Sequence, residues 1–175
     1  GLEIQSELTA LLRARLLRPS ARGLEFAHGL TREAAYAEAS PTERRRVHGR
    51  VARWLEAHGE TDRAALAHHW YEADEAEPAV EHAHHAAERA IRAGGYTEAA
   101  RLFERCLSLA PHAPSRSSPP SRALHWRRRL AEAARGLGDI DGVRLHAEHA
   151  IGLAGRSIPR TRLGLGLALI GCALR

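Results

Sequence analysis

Histidines at helical spacing are the residues of this chain best suited to chemistry. They form three groups, which are His68 with His69, then His82, His84 and His85, and finally His146 with His149. Two histidines three or four residues apart on a helix can ligate zinc, and a third ligand from a neighbouring helix would complete the site. No cysteine or acidic residue recurs at a matching spacing, however, and histidine is frequent throughout the chain. We therefore predict no metal site, and we interpret these histidines as surface and inter-helix residues with pH-sensitive packing.

Two runs of three arginines, Arg44–Arg46 and Arg127–Arg129, are the kind of cluster that binds phosphates. Three consecutive residues on a helix point in three directions, and no aromatic residue is interleaved with either run. Acidic residues are also nearly as numerous as basic ones, 21 against 26. We therefore expect a solvated face of mixed charge, and no nucleic-acid partner.

Catalytic signatures are absent from the sequence. There is no Gly-rich phosphate loop, no Gly-x-Ser-x-Gly and no His-Glu-x-x-His. The two cysteines, Cys106 and Cys172, give neither a metal motif nor a disulfide framework, so reduced thiols in a cytoplasmic protein are expected. Glu33 and Glu43 are explained by helix-surface charge or capping. We predict a segment without enzymatic activity, catalytic residues or bound cofactor.

The composition favours packed helices over a sheet. Alanine, leucine, arginine, glutamate and histidine dominate, while aromatic residues make up only 5%. The net charge of +5 permits an acidic partner without identifying one. The apolar segment 163–174 has 12 residues, and a membrane span needs roughly 20. The chain has no Met and stops inside this apolar pattern, so we expect it to be part of a longer protein.

Helix, β-hairpin and helix follow one another at the start of the chain. Residues 3–14 carry the apolar face of a helix. Short strands are predicted at 16–18 and 24–26, separated by a turn-rich segment with Pro and Gly. This order matches the closing half of a winged helix, which we assign to residues 1–39.

The next predicted helix is the best delimited in the chain. Ser40 as the N-cap, Pro41 at the first helical position and Glu43 at the third make a capping box. Gly59 closes the helix.

From residue 61 onward the pattern predicts a series of helices, at 62–73, 78–93, 97–110, 122–137, 140–154 and 161–175. Gly94-Gly95 and Gly138-Asp139 make tight turns, and the two hairpins around them overlay with a shift of 44 residues. A Pro/Ser-rich loop at 111–121 explains why this shift is longer than the roughly 34 residues of a tetratricopeptide repeat. We predict an all-α fold in which residues 40–175 form a tetratricopeptide-like array of antiparallel helix hairpins. The predicted repeat core consists of Trp70, Tyr96, Phe103, Leu107, Trp126, Leu130, Ile140 and Ile151.

Two motifs between residues 26 and 56 match a known pattern. They read Phe26-x-His28-x-Leu30-x-Arg32-Glu33-Ala-Ala-Tyr36 and Arg44-Arg-x-Val47-His48-x-x-Val51-Ala52-x-x-Leu55-Glu56. This run resembles the winged-helix exit of bacterial STAND/AAA-type signalling ATPases. The following segments Leu66-Ala67-His68-His69-Trp70 and Tyr96-x-Glu98-Ala99 resemble the next helix and the first full tetratricopeptide repeat of the same proteins.

Later segments refine the resemblance. Arg129-Leu-Ala-Glu-Ala-Ala-x-Gly-Leu-Gly138 and Gly155-Arg-x-x-Pro159-Arg160 resemble members that are fused to class III adenylate/guanylate cyclases. Large ATP-binding LuxR-type transcription regulators share the earlier motifs and are the near competitor. A free-standing tetratricopeptide adaptor is the third alternative.

The resemblance implies a regulatory, protein-interaction segment of an ATP-dependent signalling protein. ATP and Mg²⁺ would belong to a parent domain outside this chain, and the partner would be a protein or a neighbouring domain. The resemblance also points to His28, Arg32, Tyr36 and His48 as a structural joint between the winged helix and the repeats. The alternative is that these four residues simply pack at a helix crossing.

Overall fold

The computed structural model describes residues 2–20, 23–113 and 120–155. The elements are α1 (Leu2–Arg13), β1 (Leu17–Ser20), β2 (Gly23–Phe26), α2 (Gly29–Glu38), α3 (Pro41–Ala57), α4 (Arg63–Glu72), α5 (Ala76–Arg92), α6 (Tyr96–Leu109), a 3₁₀ turn (Ala110–His112), α7 (Pro120–Leu137) and α8 (Ile140–Leu153). The predicted all-α class with one small hairpin is confirmed. The predicted helix at 161–175 lies outside the described residues. None of the described helices has the length and apolar character that a membrane crossing requires.

The first compact unit comprises residues 1–47 and contains the helix–hairpin–helix order expected from the sequence. β1 and β2 pair antiparallel from Leu17 opposite Phe26 to Ser20 opposite Gly23. The second unit comprises residues 48–175, so α3 contributes residues to both. The predicted boundary after residue 39 marks the start of α3, whereas the structural boundary falls within that helix.

The capping box at the start of α3 is present. The backbone N–H of Glu43 donates to Ser40 Oγ at 3.2 Å, and Glu43 Oε2 accepts from the Ser40 backbone N–H at 2.9 Å. The hydroxyl of Ser40 donates to the same carboxylate oxygen at 2.7 Å. These hydrogen bonds lower the pKa of Glu43, which therefore stays ionised beside the helix N-terminus.

One turn geometry recurs between the helices of the second unit. Asp74, Gly94 and Gly138 each follow a helix with positive φ, at 64°, 75° and 75°. In each case the next backbone N–H bonds the carbonyl five residues earlier, with N···O distances of 3.1 Å, 2.8 Å and 2.9 Å. This is the Schellman motif, which satisfies carbonyls at the helix C-terminus and reverses the chain. It makes α4–α5, α5–α6 and α7–α8 into helix hairpins.

The core of the second unit is built largely from alanine. Consecutive helices from α4 to α8 pack in sequence order. The main buried cluster contains Ala67, Val80, Ala83, Ala86, Ala87, Ile91, Ala99, Leu102, Phe103, Cys106, Trp126, Leu130 and Ala133. Small side chains let helix backbones approach closely, and Phe103 and Trp126 fill the remaining space. The arrangement is that of a helical repeat.

Seven of the eight predicted core residues are at least half-buried. Phe103, Trp126 and Leu130 belong to the main cluster, Tyr96 and Leu107 pack against it, and Trp70 belongs to a second cluster with Ala52 and Ala79; Ile151 is half-buried. Ile140 is 82% exposed, and the predicted helix at 161–175, which would follow α8, lies outside the described residues. The overlay equated Ile140 with Tyr96, but Tyr96 is covered by the following helix α7. Among the described residues no helix follows α8 to cover Ile140.

Gly136→Ala should lower the free energy of unfolding. A Cβ at position 136 would lie 2.5 Å from ring atoms of Tyr96. Overpacking of this kind costs about 1–3 kcal/mol, whereas alanine gains only about 1 kcal/mol over glycine in a helix. In a Tyr96→Ala background the ring is gone, so the same substitution should become stabilising. Urea denaturation of the four chains measures both effects, and stabilisation by Gly136→Ala in both backgrounds would contradict the contact.

Candidate functional site

A connected group of polar side chains joins α5 to α7. These are the first helices of the α5–α6 and α7–α8 hairpins. We call it the α5–α7 surface, and it consists of Glu81, His84, His85, Glu88, Arg122, His125 and Arg129. The residues recur every three or four positions on each helix, so they form one stripe per helix. The apolar stripes of the same helices enter the core through Ala83, Ala87 and Trp126. Core packing therefore places the polar stripes opposite each other.

Glu88 is the centre of this surface. Its two carboxylate oxygens accept two hydrogen bonds from the guanidinium of Arg129. Nε donates to Oε1 at 2.9 Å and Nη2 donates to Oε2 at 2.6 Å. His125 Nε2 also donates to Oε1 at 2.8 Å. Burial raises the pKa of Glu88, but the hydrogen bonds from Arg129 and His125 outweigh burial and hold this pKa below its usual value. The side chain, only 13% exposed, therefore remains a carboxylate.

His84 lies between the apolar core and Glu88. Its Nδ1 accepts from Trp126 Nε1 at 3.3 Å, and its ring meets that of His125 edge-on, with centroids 5.6 Å apart. Burial lowers the pKa of His84, and the charge of Arg122 adds to the effect. The imidazole is therefore neutral near pH 7. Arg122 itself binds Glu81, with Nη2 2.8 Å from Oε2.

Three side chains of the surface form a candidate metal site. His84, Glu88 and His125 each offer one ligand atom, and these atoms lie within 4.8 Å of one another. The sequence indicated that a third ligand would have to come from a neighbouring helix, and His125 of α7 meets that requirement. The expectation that no acidic residue stands at a matching spacing was wrong, because Glu88 follows His84 by four positions. The prediction that the chain holds no metal remains a prediction.

A second histidine group lies between α3 and α4. His48 Nδ1 and His69 Nδ1 are 3.0 Å apart, so one nitrogen donates and the other accepts. The ring of His68 lies 5.6 Å from that of His48. Burial lowers the pKa of both His48 and His69, with neighbouring histidines adding to the effect for each. Protonation of both rings would bring two donors face to face and break this contact.

His82 belongs to a third polar group, separate from His84 and His85. Its Nε2 donates to Glu56 Oε1 at 2.7 Å, and Trp70 Nε1 donates to the same oxygen at 3.0 Å. Arg63 Nη1 donates to His82 Nδ1 at 3.1 Å. The arrangement joins α3, α4 and α5, and it accounts for the burial of His82 without a ligand.

The proposed joint residues fall in both units. His28, Arg32 and Tyr36 are exposed in the first unit, and His48 is half-buried in the second. The Arg44 guanidinium lies over the Tyr36 ring, 5.1 Å from its centroid. His28 precedes α2 in an extended conformation, and no side-chain hydrogen bond of His28 caps that helix.

Arg127, Arg129 and Cys106 are engaged within the fold, whereas Cys172 lies outside the described residues. Arg127 pairs with His146 at 3.3 Å, whereas Arg129 pairs with Glu88, so neighbouring arginines of this run point in different directions. Burial raises the pKa of the Cys106 thiol to about 12, so this sulfur is not a thiolate nucleophile at neutral pH.

Comparisons with known proteins return no match. No protein-family model matches the chain, and neither a curated protein nor a solved structure matches it significantly. The resemblance to STAND/AAA-type ATPases therefore stays a prediction from the quoted motifs.

Stability should fall as the pH drops below about 6.5, the ordinary pKa of histidine. Burial lowers the pKa of His48, His69, His84 and His146 in the folded chain. The unfolded chain then binds these protons more readily, so stability is present above about pH 6.5 and is lost as pH falls through the lowered folded values. Urea denaturation between about pH 7.5 and pH 5 measures the loss.

The matched variants for this experiment are His69→Gln and His112→Gln. The first removes a half-buried titrating ring and should show a smaller loss with falling pH. The second alters an exposed histidine and should follow the unmodified chain. A free energy of unfolding that is constant over this range would contradict the prediction.

Proposed function

We propose that this chain is a non-catalytic regulatory segment that binds a protein partner through the α5–α7 surface. The observation that carries the proposal is the stripe of polar side chains on the first helices of two successive hairpins. In helical repeat proteins, stacked units of this kind create extended binding surfaces. We propose that the repeats are tetratricopeptide-like.

The order within this surface supports a binding role. Ion pairs with Glu81 and Glu88 fix Arg122 and Arg129 in defined positions, so these side chains lose little conformational freedom on binding. The chain also leaves groups available to a partner, because the side chains of His85 and His125 are 54% and 42% exposed. Charges of both signs favour a partner segment with complementary mixed charge.

The larger protein that we propose is a cytoplasmic signalling ATPase of the STAND/AAA type, linked to a class III cyclase. The motifs between residues 26 and 56 and the helix–hairpin–helix order support this proposal, with residues 1–39 as the end of a winged helix. ATP and Mg²⁺ would bind in the parent domain. A LuxR-type regulator and a free-standing adaptor are the alternatives. Flanking coding sequence separates them, because a cyclase would lie upstream and a helix-turn-helix downstream.

A photo-crosslinking residue at position 85 should capture the partner. His85 lies on the α5–α7 surface, and Arg144 of α8 provides a matched control with a side chain that is 73% exposed. In the full-length protein inside its own cells, we expect a discrete crosslinked band from position 85 and none from position 144. Mass spectrometry identifies the band. Crosslinks of equal yield and identity at both positions would contradict a partner site on this surface.

Arg32→Ala should impair nucleotide-dependent signalling of the full-length protein if the joint exists. Arg32 is exposed within the first unit, so its loss should leave the free energy of unfolding nearly unchanged. Signalling output and urea denaturation are measured together, with the neighbouring Glu33→Ala as control. If Arg32→Ala left both stability and signalling unchanged, the joint role of His28, Arg32, Tyr36 and His48 would be refuted.

A further inference from the structure

We propose that His84, Glu88 and His125 bind a divalent transition metal, with Zn²⁺ as the preferred ion. Two imidazoles and one carboxylate are a donor set typical of zinc sites. Metal binding here does not depend on the partner role proposed above, and each can fail without the other.

The positions of the three ligands suit a shared ion. His84 and Glu88 are four residues apart on α5, so both side chains project from the same face. His125 approaches from α7, and all three ligand atoms already lie within 4.8 Å. In a tetrahedral zinc site the ligand atoms are about 3.3 Å apart, given bond lengths near 2.0–2.1 Å. Nε2 of His125 and Oε1 of Glu88, now 2.8 Å apart, would separate slightly to reach this spacing, and side-chain rotation would adjust their distances to His84.

The ion would replace a proton. In the structure the Nε2 proton of His125 bridges to Glu88 Oε1 over 2.8 Å. A metal between these atoms takes the same place, so His125 would bind the ion as the tautomer that carries its ring hydrogen on Nδ1. His84 is neutral near pH 7, because burial lowers its pKa.

The charged side chains around Glu88 permit a metal ion to bind there. Arg129 can keep Glu88 Oε2 as a partner at 2.6 Å, and its Nη1 also binds Glu132 at 2.8 Å. Arg122 is engaged by Glu81, and Arg92 lies 3.9 Å from Glu88 Oε2. These cations weaken the affinity for an ion, but Glu81, Glu88 and Glu132 balance Arg122, Arg129 and Arg92 within the site.

The three protein ligands leave a fourth position for water or for a side chain of a partner.

Metal binding also removes the hydrogen bond from Trp126 to His84 Nδ1, if that nitrogen ligates or becomes protonated. The bond is long, at 3.3 Å, so the loss is small. Trp126 adjoins the site and provides a fluorescence signal for metals that quench indoles.

Zinc titration calorimetry on the full chain tests the proposal. We expect one zinc per chain, with affinity reduced about 10- to 100-fold or more in His84→Gln and in His125→Gln. His85→Gln is the matched control, since His85 neighbours His84 but pairs with Glu81 at 3.1 Å. A His68→Gln/His69→Gln double variant controls for the other histidine group. Far-ultraviolet circular dichroism verifies that each variant is folded.

Co²⁺ absorption provides a second readout. A tetrahedral site gives strong visible bands, which should be present in the unmodified chain and in both controls, and lost in His125→Gln. The proposal is overturned if no zinc binds, or if His85→Gln or the double variant weakens binding as much as His125→Gln does. Weak octahedral Co²⁺ bands alone would also overturn it, because they indicate adventitious binding to surface histidines.

Discussion

Packing of Trp126 into the alanine-lined core is the contact on which the rest of the second unit depends. The indole of Trp126 is fully buried, and it joins α7 to the cluster formed by α5 and α6. Its N–H bonds His84 at the edge of the core, so the same ring spans the apolar and polar parts of the interface. Because α7 is fixed in this way, Arg122, His125 and Arg129 lie opposite Glu81, His84 and Glu88. The polar surface is thus a consequence of the apolar contact.

Carboxylate–histidine bridges connect alternate helices of the second unit. Glu56 of α3 binds His82 of α5, and Glu88 of α5 binds His125 and Arg129 of α7. Half-buried ion pairs add little net stability, because desolvation offsets much of their attraction. They do impose one register, since a displacement of either helix would leave the buried His82 or the half-buried Glu88 without its hydrogen-bond partners. The alanine core stabilises the packing of the helices, and these bridges fix the register of one helix against another.

The sequence predicted the described helices other than α2 with bounds at most two residues away, because their ends carry local signals; for α2 it predicted no bounds. Gly94, Gly138 and the box at Ser40–Glu43 mark termini whatever the tertiary packing. The cluster of His84, Glu88 and His125 was not predicted, because 41 residues separate its histidines and nothing local shows that α5 adjoins α7. The position of Ile140 illustrates a related limit of local patterns: periodicity identifies an apolar face, but burial also requires a neighbouring helix to cover it.

Glu88 links the two proposed activities of the α5–α7 surface. Its Oε1 is shared by His125 and Arg129, and its Oε2 is held by Arg129. A partner carboxylate that attracts Arg129 would free Oε1 and strengthen metal binding, whereas a partner guanidinium at Glu88 would compete with the metal. By thermodynamic linkage, the metal would change the affinity for each partner by the same factor. The half-buried carboxylate of Glu88 can therefore couple the charge of a partner to the occupancy of the metal site. A partner that draws Arg129 away strengthens metal binding, and a partner that binds Glu88 itself weakens it.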